Sequence, residues 1–417
     1  MTYLPRILDR ELASALTSSG AVLIEGPKAC GKTETAVQVA ASAVRLDVDD
    51  DARELAAIDP SILLRGETPR LLDEWQVEPA IWNHVRRAVD DRSPARGQFI
   101  LTGSATPNDD VHRHSGAGRF ATLRMRPMSL FESGHSSGVM SLADLLEGGE
   151  ASSTRTALTI DDVLERIVVG GWPDRQRQPV EIASLEAQNY LAQIAEVDIS
   201  QVEGTRRDPS HVLRLISSIA RNVATEAPMT KIAADVDGAE GPIHRTTATD
   251  LKRALERLRL VEEQPAWAPH LRSRIPARTS PKHHLVDPSL AAAALNAGPE
   301  RLLKDMNWTG FLFESLVVRD LRVYAQPLRG RVFHFRDAKG LEADAVVQLQ
   351  DGRWAAFEVK MGASRIDEGA ASLLRFAERV DSSKSGMATA LGVITATGFG
   401  YRRPDGVHVI PIGALGP

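Results

Sequence analysis

Two short stretches hold residue types whose spacing could do chemistry, and they lie near opposite ends of a 417-residue chain. The first is GPKACGKT, residues Gly26 to Thr33. It fits G-x-x-x-x-G-K-T, the Walker A pattern of a loop wrapped around phosphates. Gly26 and Gly31 let backbone N–H groups turn toward phosphate oxygens, and a helix starting at the loop's end adds its positive terminus. Gly26, Pro27, Lys28, Ala29, Cys30, Gly31, Lys32, Thr33 and Glu34 then form the binding segment. Lys32 is expected to reach the β- and γ-phosphates and the Thr33 hydroxyl to ligate Mg²⁺. The partner motif is RLLDEW, an apolar strand ending on Asp73 and Glu74. Asp73 is expected to hold Mg²⁺ and Glu74 to polarise an attacking water. Together the motifs predict a hydrolase with ATP and Mg²⁺ as cofactors, and Glu74 separates it from a mere nucleotide binder.

The second stretch is LEADAVVQLQDGRWAAFEVKMG, residues 341–362, with Glu342, Asp344, Glu358 and Lys360 among apolar neighbours. Gln350-Asp351-Gly352 suits a three-residue hairpin loop that pairs Leu349 with Arg353. Asp344 then lies opposite Glu358 and Glu342 opposite Lys360, all on one face. The other face, Ala343, Ala345, Val347 and Leu349 against Ala355, Phe357, Val359 and Met361, is wholly apolar. A two-residue turn would separate Asp344 from Glu358, so the unbroken apolar face selects the longer loop. Two readings stay open: a half-exposed hairpin with charges paired across strands, or converging carboxylates that hold a divalent cation or recruit Lys360.

The elements that must position these residues can be read more coarsely. AVLIEG, AVRLDV, RLLDEW, GQFILTG and ATLRMRPMS are strand-like, with helix-length stretches such as TETAVQVAASA and AIWNHVRRAVDD between them. That alternation predicts an α/β fold with a parallel sheet over residues 1–135. Residues 136–158 are small and polar in part and suggest a linker; a long helix is expected over about 180–202, in a linker and lid-like region 136–205. Helices over 209–262 followed by a basic extended segment resemble a winged helix-turn-helix, assigned to residues 206–300. Between His244 and Lys282 there are nine Lys/Arg against four Asp/Glu. Arg245, Lys252, Arg253, Arg257 and Arg259 on a recognition helix, with Arg272, Arg274, Arg278 and Lys282 on a wing, would contact DNA phosphates. The same helix could equally pack through Leu251, Leu255 and Leu258 and serve protein contacts. A further α/β domain is expected over 301–417.

GPKACGKT, LLDEWQ, ILTGSA, GRF followed by RPMSLFE, GGWPD, SPKHHLVDPSL and GFLFESLVVRDL together resemble the bacterial and archaeal AAA-type P-loop ATPases with a C-terminal domain of unknown function similar to the PD-(D/E)XK nuclease fold. The resemblance implies a γ-phosphate sensor at the end of the strand after Walker B, where Ser104 is preferred to Thr102. Arg119 becomes a candidate arginine finger acting on a second copy of the chain, or a surface arginine; the first implies a homo-oligomer. In the nuclease-like part the resemblance makes Asp344 and Glu358 metal ligands, Glu314 an auxiliary ligand and Lys360 the water-orienting cation. It has Glu-Ala-Asp at 342–344 where Glu-Val-Asp is expected.

Composition bounds these readings. Net charge is −5, so any nucleic-acid surface must be local. Cys30 is the single cysteine, which excludes an internal disulfide and suits a reducing compartment. No apolar run approaches the ~20 residues of a membrane span, and the N-terminus lacks a signal-peptide core, so a cytoplasmic protein is expected. The favoured function is an ATPase whose nucleotide state controls a DNA-binding or nuclease-like unit. The alternative is an ATP-dependent switch for protein partners with an inactive nuclease-like scaffold.

Overall fold

A computed structural model describes residues 3–104, 115–149, 153–203, 207–236, 243–270, 280–337 and 339–417. The chain divides into two compact units. One comprises Met1–Pro127, Asp198–Arg206 and Ala254–Leu260; the other comprises Met128–Val197, Arg207–Arg253 and Val261–Pro417.

The first unit is built on β1 (Ala21–Glu25), β2 (Ser42–Arg45), β3 (Arg70–Asp73), β4 (Phe99–Gly103) and β5 (Phe120–Arg124). They form one parallel sheet in the order β2-β3-β4-β1-β5. Its central strands are apolar on both sides, as a sheet covered on both faces requires. Ala21, Leu23, Leu72, Phe99 and Leu101 pack with Ile81, Trp82 and Val85 in one cluster. Their sequence neighbours Val22, Ile24, Leu71 and Ile100 pack with Leu8 and Leu12 in another. The two-residue period of the strands thus produces two separate cores. The helix Ile81–Asp91 buries Ile81, Trp82, Val85 and Val89, one stripe of a 3.6-residue period. The parallel arrangement places the ends of β1, β3 and β4 at one edge, where the first set of chemical residues lies.

The second unit holds a seven-stranded sheet of β7 (Thr154–Arg155), β8 (Arg331–Arg336), β9 (Glu342–Gln348), β10 (Trp354–Lys360), β11 (Ala390–Thr395), β12 (Phe399–Arg402) and β13 (His408–Pro411), in the order β7-β12-β13-β11-β10-β9-β8. β6 (Met140–Ser141) pairs with β14 (Leu415–Gly416). The expected linker at 136–158 is therefore structured where described: it supplies β6 and β7, and Ser136 Oγ donates to the Leu415 carbonyl at 2.6 Å. Its small polar residues read as a loop because their partners are more than 200 residues away. The expected long helix is present as Val180–Gln193, a π turn at Ile194–Asp198 and the helix Ile199–Glu203.

Helices Pro209–Arg221, Met229–Ala234 and Arg245–Arg257 precede antiparallel bridges Val261–Leu285 and Gln264–Lys282. That is the helices-then-wing order expected, but these residues share one compact unit with the C-terminal sheet, apart from Ala254–Leu260. Arg272, Arg274 and Arg278 lie outside the described residues. No helix among the described residues is long and apolar enough to cross a membrane.

A buried charge triad ties this unit together. Arg319, on the helix Met306–Ala325, donates from Nη1 to Asp287 Oδ2 at 2.7 Å and from Nε to Asp320 Oδ1 at 2.8 Å, with all three side chains at most 2% exposed. Asp287 Oδ2 also accepts from the Gly171 N–H at 3.0 Å, and Asp320 Oδ2 accepts from the Leu130 N–H at 3.1 Å. Gly170 sits at φ +71°, and a Cβ there would lie 2.5 Å from Asp287 Oδ1. The motifs RPMSLFE, GGWPD, VDPSL and RDL thus meet at one buried ionic centre, which explains those residue types structurally.

Candidate functional site

Walker A residues Gly26 to Gly31 lie between β1 and the helix Lys32–Val37, whose first two residues are Lys32 and Thr33. The turn requires left-handed backbone at Ala29 (φ +59°) and Gly31 (φ +103°), the latter free of steric cost for glycine. Gly26 is demanded by close approach, since a Cβ there would lie 2.3 Å from the Met125 carbonyl oxygen. Arg6, which the sequence reading missed, clamps the outside of the loop by donating to the Cys30 carbonyl at 2.8 Å and the Arg126 carbonyl at 2.7 Å. Cys30 itself is fully buried. Lys32 is buried, its ammonium donating to the loop's own carbonyls at Gly26 (3.1 Å) and Pro27 (2.9 Å).

The predicted acids meet this loop. Leu71 and Leu72 are fully buried and set the end of β3, so Asp73 reaches the loop. Thr33 Oγ1 donates to Asp73 Oδ1 at 2.8 Å. Thr102, at the end of β4, also donates to Asp73 Oδ1. Glu74 follows in the left-handed region at φ +52°, and a short turn over Trp75–Val77 brings Gln76 back toward it. Ser104 Oγ donates to Glu74 Oε2 at 3.0 Å, and Gln76 Nε2 donates to the same oxygen. The two hydroxyls at the end of β4 therefore hold one acid each, Thr102 the aspartate and Ser104 the glutamate. Gln76 is a missed residue; the amide two positions after Glu74 was its signal.

A hydroxyl beside a carboxylate at the head of a phosphate loop is the donor set that suits Mg²⁺. The residues present fit MgATP. Two further pairs flank the loop within the same unit. Lys28 Nζ lies 2.5 Å from Asp198 Oδ1, and Arg259 pairs with Glu25 at the end of β1. Asp198 closes the π turn, a local geometry frequent at functional sites.

Arg119 is not brought to this loop. It precedes β5, whose Phe120 pairs with Ala21 at the start of β1, whereas the loop follows the end of β1. Its guanidinium forks onto Asp90, Nε to Oδ1 at 2.9 Å and Nη2 to Oδ2 at 3.3 Å.

The C-terminal hairpin has the expected register, with Phe357 opposite Ala345 and the Leu349 N–H donating to the Arg353 carbonyl at 2.8 Å. Gly352 takes the left-handed position at φ +94°. The charged face, however, is not solvated: Val346 and Ala356 on that face are fully buried with Ala370, Leu373 and Phe376. Asp344, Glu358 and Glu314 are all less than a tenth exposed. Lys360 Nζ lies 2.7 Å from Glu358 Oε2. Lys282 Nζ lies 2.6 Å from Glu314 Oε1 and 3.6 Å from Asp344 Oδ1. Burial pushes the Glu314 carboxyl up to about 8, with Lys282 pulling the other way. Burial and the neighbouring Asp344 push Glu358 up to about 7 against Lys360. Burial pulls the Lys282 ammonium down, but Glu314 and Asp344 outweigh it and hold it above the usual lysine value. The three carboxylates converge as expected, but on lysines. Among the described residues no group of three His, Cys, Asp or Glu is placed to hold a metal ion, so Glu314, Asp344 and Glu358 do not fit the metal assigned to them.

The basic surface also changes. Lys282 is buried in that cluster, Lys252 is buried against Glu263 at 2.5 Å, and Arg259 is paired with Glu25. Of the expected phosphate contacts, Arg245 and Arg253 are exposed. The run of cations in sequence is not one surface among the described residues, because a helix turns successive charges to different sides.

Three family models match the chain: an AAA domain over residues 18–133, a Domain of unknown function (DUF8612) over 160–301, and a Domain of unknown function (DUF4143) over 309–415. No functionally curated protein matches. Among solved structures, a Walker-type ATPase of Pyrococcus abyssi is similar at 12% identity and a TM-score of 0.42, over 69% of this chain and 94% of that one. Drosophila ORC bound to DNA gives 13% identity and a TM-score of 0.19, over 71% and 89%. Neither likeness is close enough to carry an argument. The AAA match coincides with the parallel sheet and its loop. Residues 18–133 are a P-loop ATPase domain of the AAA type, carried on a chain whose C-terminal part is a domain of unknown function.

Proposed function

We propose that the chain is a Mg²⁺-dependent ATP hydrolase that works as a nucleotide switch. The observation that carries this reading is the pairing of Glu74 with Ser104 and Gln76 beside an Asp73 already joined to Thr33. Lys32 exchanges loop carbonyls for phosphate oxygens and so orients the nucleotide. Thr33 and Asp73 hold Mg²⁺, which supplies charge neutralisation at the β- and γ-phosphates. Glu74 takes a proton from the attacking water, and its two hydrogen-bond donors fix where that carboxylate points. Ser104, just after β4 and bonded to Glu74, would sense the γ-phosphate in this reading. Lys32→Ala is expected to abolish detectable MgATP binding in a calorimetric titration of the full chain. Wild-type affinity in that variant would remove the loop from nucleotide binding.

The Lys28–Asp198 and Glu25–Arg259 pairs support a route out of the site. Phosphate oxygens compete with Asp198 for Lys28, so nucleotide loading loosens a contact to a segment remote in sequence. A protein-partner output is favoured over DNA contact or cleavage, because Lys252, Arg259 and Lys282 are committed to ion pairs and the C-terminal carboxylates to lysines.

Arg119 enters this reading through a second copy of the chain, releasing Asp90 to reach a neighbour's nucleotide. Turnover per protomer is then expected to rise with protein concentration, and Arg119→Ala to remove that rise while ATP affinity stays unchanged. Concentration-independent turnover would leave Arg119 to its partly exposed ion pair with Asp90 alone.

A further inference from the structure

Asp198 is where the chain enters the unit that holds the phosphate loop. It ends the π turn Ile194–Asp198, which joins the helices Val180–Gln193 and Ile199–Glu203. Ile194, Ala195 and Ile199 around it are buried, and the Asp198 side chain is itself 6% exposed. A carboxylate in such surroundings needs a counter-charge, because burial removes the water that stabilises its ionised form. Lys28 supplies it at 2.5 Å, and the Asp198 carboxylate has no second partner among the described residues.

The two members of this pair are unequal. Lys28 is the third residue of the loop Gly26–Thr33, and its side chain is 45% exposed. On its flexible stem the ammonium can turn to a phosphate oxygen at little cost. Asp198 cannot rehydrate where it stands. A π turn is a single wide turn of i→i+5 bonding inside an α-helical run, and so it is the place where that run can open. We infer that Asp198 is a latch displaced by nucleotide: phosphate oxygens take Lys28, and the carboxylate left without its counter-charge leaves its buried position by opening the turn at Ile194–Asp198. The coupling is reciprocal, so anything that holds the turn closed weakens nucleotide binding by the same factor. The latch therefore regulates the ATP site through the segment that leads out of it. This inference rests on the loop binding nucleotide, but not on hydrolysis.

Amide hydrogen exchange over residues 190–203 of the full chain is the test, with a non-hydrolysable ATP analogue and Mg²⁺ as the probe and calorimetry reporting its binding. In the wild type, loading is expected to speed exchange in this segment at least ~10-fold, as a local opening does. Lys28→Met leaves Asp198 unpaired from the start and is expected to exchange fast without nucleotide. Asp198→Asn keeps the shape and removes the charge that must be expelled. Its exchange is expected to stay slow with and without the analogue, which should bind roughly 10-fold more tightly. A wild type that does not bind the analogue would sink the nucleotide reading and this inference with it. Binding with unchanged exchange in the wild type would overturn the latch alone, a result that needs no variant to fold. So would a nucleotide-dependent rise that persists in a folded Asp198→Asn protein.

Discussion

Glu74→Gln should bind MgATP as tightly as the wild type and turn it over at least ~10²-fold more slowly, the usual contribution of a positioned general base. The substitution preserves the side chain's length, and the new amide oxygen can still accept from Ser104, whose hydroxyl lies 3.0 Å from Oε2. Asp73, Thr33 and Lys32 are untouched, so the groups that hold nucleotide and Mg²⁺ stay in place. What disappears is the carboxylate that accepts a proton. Phosphate release at saturating ATP, measured beside a binding titration, separates the two quantities. If the variant keeps full turnover, the water is activated elsewhere and the role given to Glu74 is wrong.

The largest expected loss of stability follows from Arg319. Its guanidinium holds two fully buried carboxylates, donating from Nη1 to Asp287 at 2.7 Å and from Nε to Asp320 at 2.8 Å. Arg319→Met fills similar space but leaves two buried acids without a counter-charge. Breaking a buried pair in this way costs about 3–5 kcal/mol, against a total of roughly 5–15 kcal/mol for a typical protein. Lysine is no substitute, because a single ammonium lacks the planar fork that serves two carboxylates at once. Urea denaturation of the unit that contains the triad should show the shift in midpoint. A change under about 1 kcal/mol would mean that water or protonation relieves the acids, an outcome consistent with burial already pushing Asp320 upward.

Local patterns made much of this molecule legible. Ala21 and Leu23 alternate with Val22 and Ile24, and that two-residue period announced a strand buried on both sides. Gly31, Lys32 and Thr33 fell where a strand-loop-helix must bend. The unbroken apolar face of residues 343–349 and 355–361 specified a three-residue turn, and the observed register matches it. Contacts between residues distant in sequence were not legible. Ser136 meets Leu415, Asp287 meets Gly171, and Lys282 meets Asp344; no local period encodes such meetings. A half-exposed hairpin therefore stayed open beside converging carboxylates, because the helix Ile366–Arg379 packed on that side could not be placed. Lys252 and Lys282 were counted as surface cations for the same reason. A lysine in sequence carries no mark of the acid it will find.

The most direct test of the central claim is phosphate release by the full-length chain supplied with excess ATP, in Mg²⁺ and then in EDTA, with Lys32→Ala as the baseline. A P-loop hydrolase should release phosphate catalytically in Mg²⁺, stop in EDTA and show no turnover in Lys32→Ala, while Asp344→Ala leaves the rate unchanged. Turnover that survives Lys32→Ala, or that is lost in a folded Asp344→Ala, would contradict the account.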